Sequence, residues 1–290
     1  MDTQYSVSYD FIDSFRKNVS LKEFIRLSET RFFNQVDTVI EAAIENKVRL
    51  IRVAGPSGSG KTTSTKRIVE ALRENGIPAY YMSMDNWYKT LKVEDMPRTE
   101  DGDPDYESPD ILDIDGFKED VTNLLNGEVI YLREFDFTNR ISNKSNRKMK
   151  CESNSIIVIE GLHAINPMFN TGFKDLKVYA EPFNIRLANG TCLTSSQIRL
   201  CRRMHRDATE RGMSFEDTIR KCRSVDRGQD KYITPFMNDA NLLRINTLIL
   251  YEIFIHRNEL PDAKCLNCID KSGITKDMIP KNSILKEFYR

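Results

Sequence analysis

Residues 55 to 62 read GPSGSGKT, which satisfies the pattern G-x-x-x-x-G-K-[ST] at every fixed position. A polyphosphate carries several negative charges, so a loop that wraps it must turn successive backbone N–H groups inward. Gly55, Gly58 and Gly60 supply the positive-φ freedom and close backbone approach that such a turn needs, with Pro56, Ser57 and Ser59 between them. Lys61 would set an ammonium between the β- and γ-phosphates of a nucleotide such as ATP. Thr62 would offer a hydroxyl to Mg²⁺, and Thr63 belongs to the helix whose positive end faces the phosphates.

Two acids stand where strand tips are expected. Asp85 follows AYYMSM, and a carboxylate at the carboxyl edge of a parallel sheet could accept the proton of an attacking hydroxyl. The competing reading is a cap on the next turn. Glu160 closes the apolar run SIIVIEG, a place from which an acid reaches a bound Mg²⁺ or its waters.

The run RLCRRMHRDATER puts Arg199, Arg202, Arg203, Arg206 and Arg211 on one predicted helix, several at three- and four-residue steps. Guanidinium forks suit phosphoryl oxygens whose charge builds in a transition state. The same face could instead be solvated and ion-paired with Asp207 and Glu210.

The elements that must hold these residues follow from periodicity. VRLIRVAG reads as a strand running into the glycine loop, and TTSTKRIVEALREN as the helix after it. Further strands are expected at AYYMSM (79–84), EVIYLREF (128–135), SIIVIEG (155–161), LKVYAE (176–181) and INTLILY (245–251), most of them separated by helical stretches. That alternation predicts an α/β chain with a mostly parallel central sheet covered on both faces. The acidic stretch 92–109 and the polar stretch TNRISNKSNRKMKCESN read as loops. Ahead of the first strand, LKEFIRLSE reads as a short helix, and Phe32, Val36, Val39, Ile40 and Ala43 mark a second, longer one. The expected organisation is an N-terminal helical appendage (1–47), a core (48–260) with a helical lid near 195–230, and a C-terminal extension (261–290).

Composition narrows the function classes. The 290 residues hold 43 Lys plus Arg against 43 Asp plus Glu, so no global positive field exists to hold a nucleic acid, and any anion site must be local. Hydrophobic residues make up 40%, enough for a core, with no apolar run of membrane-spanning length and no signal-like N-terminus. A cytoplasmic setting without nucleic-acid or membrane partners is the expectation, and the six scattered cysteines suit it as reduced thiols. Cys265 and Cys268 form a lone CxxC, too few ligands for a zinc site by themselves. DIDG at 113–116 resembles one GTPase element, but NKSN at 143–146 lacks the aspartate of a guanine-reading motif.

Taken together, GPSGSGKTT, MDNWYK, DYESPDILD, REFDFTNR, IIVIEGLHAINP, RLCRRMHRDATERG and KYITPFMNDA resemble, in order, the phosphoribulokinase and uridine kinase family over roughly residues 48 to 252. The resemblance implies a three-layer P-loop NTPase fold and transfer of the γ-phosphoryl group of ATP, with Mg²⁺, to a small-molecule hydroxyl, the 5′-hydroxyl of a nucleoside first. It implies that Gly55 to Thr63 hold the ATP phosphates and magnesium and that Asp85 is the base. Glu160 would lie by the metal, Tyr88 near the acceptor, and Glu107 on a ribose diol. Arg199, Arg202, Arg203 and Arg206 would close on the phosphates, Arg199 and Arg203 among the catalytic groups with Lys61 and Asp85.

The N-terminal helices are similar to a bacterial subgroup that often carries a domain related to threonyl-tRNA synthetase, for which 47 residues are too few. Where uridine kinases show Tyr-Asp-Phe and then a base-reading histidine, this chain has Phe135, Asp136, Phe137 and Arg140 at the substrate side, and Gln197 replaces the subgroup's aspartate. The departures keep other acceptors open, such as pantothenate or a sugar phosphate, and also a non-catalytic ATP sensor. Oligomeric state is left open, a homo-oligomer included.

Overall fold

In the computed structural model, residues 5–239, 241–259 and 266–289 are described. Five strands form one all-parallel sheet: β2 (Leu50–Ala54), β3 (Ala79–Ser83), β6 (Ile156–Glu160), β7 (Asp175–Glu181) and β10 (Leu242–Asn246), in the spatial order β10-β7-β2-β6-β3. β2 and β6 are buried along their whole length, as strands covered on both faces must be. Their side chains divide by parity: Ile51, Val53 and Val158 point into one apolar cluster, Leu50, Ala54, Ile157 and Ile159 into another.

The first cluster gathers α2 (Leu21–Glu45), α3 (Lys61–Glu74) and α7 (Glu252–Glu259). The second gathers α4 (Ile114–Leu125) with Trp87 and Phe169. Helix, sheet and helix therefore make three layers, the α/β P-loop arrangement expected. The connection from β2 runs toward β3 and that from its neighbour β7 toward β10, so the two diverge at the carboxyl end of the sheet. Such a divergence opens a crevice there.

Several local expectations change. LKEFIRLSE and the helix after it are one continuous helix, α2, because Phe24, Ser28 and Phe32 fall on one buried stripe across the supposed break. It follows a short strand, β1 (Ser6–Ser8), and α1 (Tyr9–Asn18). EVIYLREF is a strand, β4 (Ile130–Asp136), but it lies outside the central sheet, paired antiparallel with β5 (Ile141–Met149). β5 comes from the polar stretch expected to be a loop. The last strand ends at Asn246, and the apolar Leu248–Tyr251 that follow are a buried turn into α7.

β1 pairs with β8 (Asn184–Arg186), which pairs with β9 (Cys192–Leu193). From there α5 (Ser195–Arg211) and α6 (Phe215–Tyr232) form a hairpin over the carboxyl end of the sheet, turning at Gly212 with φ 59°. Thr194 and Gln197 close a capping box on α5, the Gln197 Oε1 accepting the Thr194 N–H at 2.8 Å. Gln197 is thus held as a cap. Among the described residues no helix is long and apolar enough to cross a membrane.

Candidate active site

β2 ends at Ala54 and the chain passes through Gly55–Gly60 into α3. Gly58 and Gly60 have φ of 80° and 83°. A Cβ at Gly55 would lie 2.4 Å from the Ala180 carbonyl oxygen, and one at Gly58 2.9 Å from that of Arg199. Both positions exclude a side chain, because neighbouring backbone already fills the space. The first helical bond of α3 runs from Ser64 N–H to Gly60 O at 2.9 Å, so the N–H groups of Lys61, Thr62 and Thr63 have no partner within the helix.

A cavity of about 920 Å³ opens in front of this turn. Ser57, Gly58, Gly60, Lys61 and Thr62 line it; Asp85, in the 3-10 turn Met84–Trp87 that follows β3, and Tyr88 just beyond that turn line it too; Tyr106, Glu107 and Arg140 complete the lining. Arg203, Arg206 and Arg211 face it from α5. Twelve residues singled out in the sequence therefore share one chamber: Ser57, Gly58, Gly60, Lys61, Thr62, Asp85, Tyr88, Glu107, Arg140, Arg203, Arg206 and Arg211.

The rest stand behind it. Gly55, Pro56 and Ser59 form the back of the turn, where the Ser59 N–H donates to Pro56 O at 3.1 Å. Phe135 packs against the Tyr88 ring, centroids 5.2 Å apart. Glu160 is buried at its strand tip, where its Oε1 accepts the Tyr81 hydroxyl at 3.0 Å. Arg199 and Arg202 turn away from the cavity and brace the glycine loop from behind. Arg199 donates to Ser57 O at 3.3 Å and Gln229 at 2.7 Å; Arg202 donates to Gly58 O and Ser59 O, each at 3.3 Å. The arginine run thus divides by face. Asp207, fully buried, pairs with Arg206 at 2.9 Å and Arg211 at 3.4 Å and holds them in place.

Electrostatics mark the two carboxylates that face the chamber. Burial pushes the Asp85 carboxyl up to about 6, and the Glu160 charge nearby adds to it, against the pull of Lys61 and Arg211. Burial likewise raises Glu107 to about 7, opposed by Lys61 and Arg203. Burial and the surrounding carboxylates hold the Tyr88 hydroxyl well above its ordinary range. Displaced carboxyl groups in a cleft are a recognised signature of acid–base chemistry.

Some residues of the chamber carried no sequence signal. Arg220, Lys221 and Arg227 reach it from α6, and Arg227 pairs with Asp101 at 2.9 Å, latching the acidic 92–109 loop to the hairpin. Tyr232 does the same through Asp105 at 2.7 Å. Glu287, 224 residues from its partner, reaches the start of α3, where its Oε2 accepts the Thr63 hydroxyl at 2.6 Å and the Thr63 N–H at 3.3 Å. Cys265 of the CxxC lies outside the described residues.

Strand order, glycine cradle and an arginine-bearing helical hairpin define the class, a P-loop kinase fold. The family model described as Phosphoribulokinase / Uridine kinase family matches residues 50–247, and the chain belongs to that family. It is 30% identical over 204 residues to a uridine kinase of Anoxybacillus flavithermus, covering 69% of this chain and 87% of that one. A uridine kinase of Staphylococcus haemolyticus is 28% identical over 198 residues, covering 67% and 86%. Among solved structures, a fructose transport system kinase candidate from Silicibacter sp. superposes with a TM-score of 0.52 at 18% identity, over 68% of this chain and 89% of that one, a likeness of fold alone.

Proposed function

We propose that the protein is an ATP-dependent phosphotransferase that moves the γ-phosphoryl group onto a hydroxyl of a small molecule, most simply the 5′-hydroxyl of a nucleoside. The observation that carries this reading is the sharing of one cavity by Lys61, the Gly58–Thr62 turn and a carboxyl, Asp85, raised to about 6. The Lys61 and Thr62 N–H groups have no partner within the helix, and Gly55 and Gly58 have no room for a Cβ, which fits a triphosphate. Thr62 at the cavity wall and Glu160 behind it are the groups that would hold Mg²⁺. The repulsion between Glu160 and Asp85 is what a divalent cation relieves. When bound, Mg²⁺ supplies charge neutralisation on the phosphate oxygens.

In this reading Asp85 takes the proton of the acceptor hydroxyl as its oxygen attacks the terminal phosphorus, and the Pγ–O bond to ADP breaks. A carboxyl with a pKa near neutrality retains basicity at working pH that an ordinary aspartate lacks. Lys61, Arg203 and Arg206 stabilise the charge that gathers on the transferring group. The hairpin excludes water, which would otherwise compete as acceptor. Arg199 and Arg202 act as positioning residues for the loop. Glu107 in the cavity lining suits a ribose diol. A cytosolic setting, where ATP and reduced thiols coexist, accompanies this reading.

A second acceptor class is favoured by Arg140. It replaces a base-reading histidine, lines the chamber and stacks on Tyr106 at 5.1 Å, a fixed cation that would pair with a phosphate or carboxylate on the acceptor. The deciding experiment is ADP release with Mg·ATP over a panel of nucleosides, sugar phosphates and pantothenate, run beside Asp85→Ala. Release stimulated by one acceptor and lost in the variant, with ATP binding kept, is the expected result. Tight ATP binding with no acceptor-dependent release would leave only a sensor.

A further inference from the structure

Glu287 lies where neither the glycine motif nor the arginine run would place a functional residue. It comes from a C-terminal turn, Ile284–Glu287, that folds back onto the start of α3. Its carboxylate takes both donors of Thr63, hydroxyl and N–H, while the same side chain borders the cavity beside Lys61 and Thr62. The Thr63 N–H is one of the donors that α3 leaves unpaired at its N-terminus, and that end of the helix attracts anions. A phosphate oxygen and the Glu287 carboxylate therefore compete for the same two hydrogen bonds.

The segment behind Glu287 is anchored. Ile284, Leu285 and Phe288 are buried, and Ile284 leans on Gly60, where a Cβ would meet its Cδ1 at 2.5 Å. The Phe288 ring sits 5.1 Å from the Arg202 guanidinium, and the Tyr289 hydroxyl meets His256 Nδ1 at 2.5 Å. Glu287 is only half-buried at the cavity edge, so its side chain can leave Thr63 by a rotamer change while the segment stays in place.

We infer that Glu287 is a built-in competitor for the nucleotide: its carboxylate occupies a phosphate-oxygen position at Thr63 and must swing away before the triphosphate seats. The inference rests on the kinase reading above, and it makes ATP affinity a property of the C-terminal turn as well as of the glycine loop. If the closed arrangement holds most of the free protein, apparent affinity is reduced by the fraction left open. An acid that stayed beside the phosphates would repel them in addition.

The test is calorimetric titration of the full chain with Mg·ATP and Mg·ADP, for wild type, Glu287→Gln and Glu287→Ala, with thermal melts of the nucleotide-free proteins. Glu287→Ala, which removes the competing oxygen, is expected to bind both nucleotides roughly five- to tenfold more tightly than wild type, and Glu287→Gln, which keeps an acceptor oxygen but loses the charge, more tightly by a smaller factor, without a rise in melting temperature in either. A merely structural glutamate would lower the melting temperature and leave or weaken binding. Equal or weaker nucleotide binding in folded variants overturns the competitor and leaves the kinase reading intact. If wild type and both variants melt cooperatively yet none binds either nucleotide at millimolar concentration, the kinase reading falls and the competitor with it.

Discussion

The side chains of Arg202 and Glu252 meet as a two-point ion pair, Nε to Oε2 and Nη2 to Oε1 each at 2.8 Å, with both residues fully excluded from solvent. Arg202 Nη1 reaches the Gly58 and Ser59 carbonyls, and Nη2 donates to Thr247 O at 2.7 Å. The pair therefore links the strand-to-helix turn after β10 to the underside of the phosphate cradle. Removing one partner leaves the other as an uncompensated buried charge. Arg202→Ala or Glu252→Ala is expected to destabilise the fold by about 3–5 kcal/mol, measured by urea denaturation. Loss of nucleotide binding should track loss of folded protein, in contrast to variants facing the cavity.

Asp85 offers the complementary case, a residue whose removal should spare the fold and stop the chemistry. Asp85→Asn keeps shape and removes the base. The expected loss in kcat is about 10²- to 10⁴-fold, with the Kd for Mg·ATP changed little. A steady-state assay with the best acceptor, beside a binding titration, checks both halves; unchanged turnover would remove the assigned role.

The raised carboxyls of Asp85 and Glu107 set a pH dependence with two signs. As a base Asp85 works ionised, so kcat/KM should rise as pH passes through about 6 and flatten above it. Stability should move the other way. A carboxyl whose folded pKa lies above its unfolded value binds more protons in the folded state between the two, so its contribution is present at low pH and lost as pH rises through about 6 for Asp85 and about 7 for Glu107. Both residues are half-buried, so solvent reaches part of each side chain and limits the effect to roughly 1 kcal/mol each. Asp85→Asn and Glu107→Gln should flatten the decline in unfolding free energy between about pH 4 and pH 8, read from denaturation curves at the two pH values.

Contiguity decides how much of this was legible in the sequence. The cradle is eight consecutive residues, and its chemistry is written in their types. Asp85 and Glu160 could be found because strand tips are predictable from the apolar runs before them. β5 was hidden because ISNKSNRKM is polar on both faces; it is a strand by virtue of pairing with β4, which no local pattern encodes. Arg199 and Arg202 were visible as part of the arginine run but not as braces, since a guanidinium facing the loop's own carbonyls and one facing phosphate share a spacing. Glu287 had no signal, because its place is set by burial of Ile284, Leu285 and Phe288 far along the chain.

Arg140 distinguishes the acceptor classes by experiment. It has φ of 56°, its guanidinium stacks on Tyr106, and Nη2 contacts Met96 Sδ at 3.5 Å, so it is held at the chamber wall rather than sweeping through solvent. A cation fixed in this way contributes little to an uncharged nucleoside and much to an acceptor carrying a phosphate. A charge-assisted hydrogen bond is worth about 1.5–3 kcal/mol. Arg140→Gln should therefore raise KM for an anionic acceptor about 10- to 100-fold while changing KM for nucleosides less than threefold or so. Equal effects on both, measured as kcat and KM separately, would assign Arg140 to the packing of the β4–β5 turn and return the acceptor question to Glu107 and Tyr88.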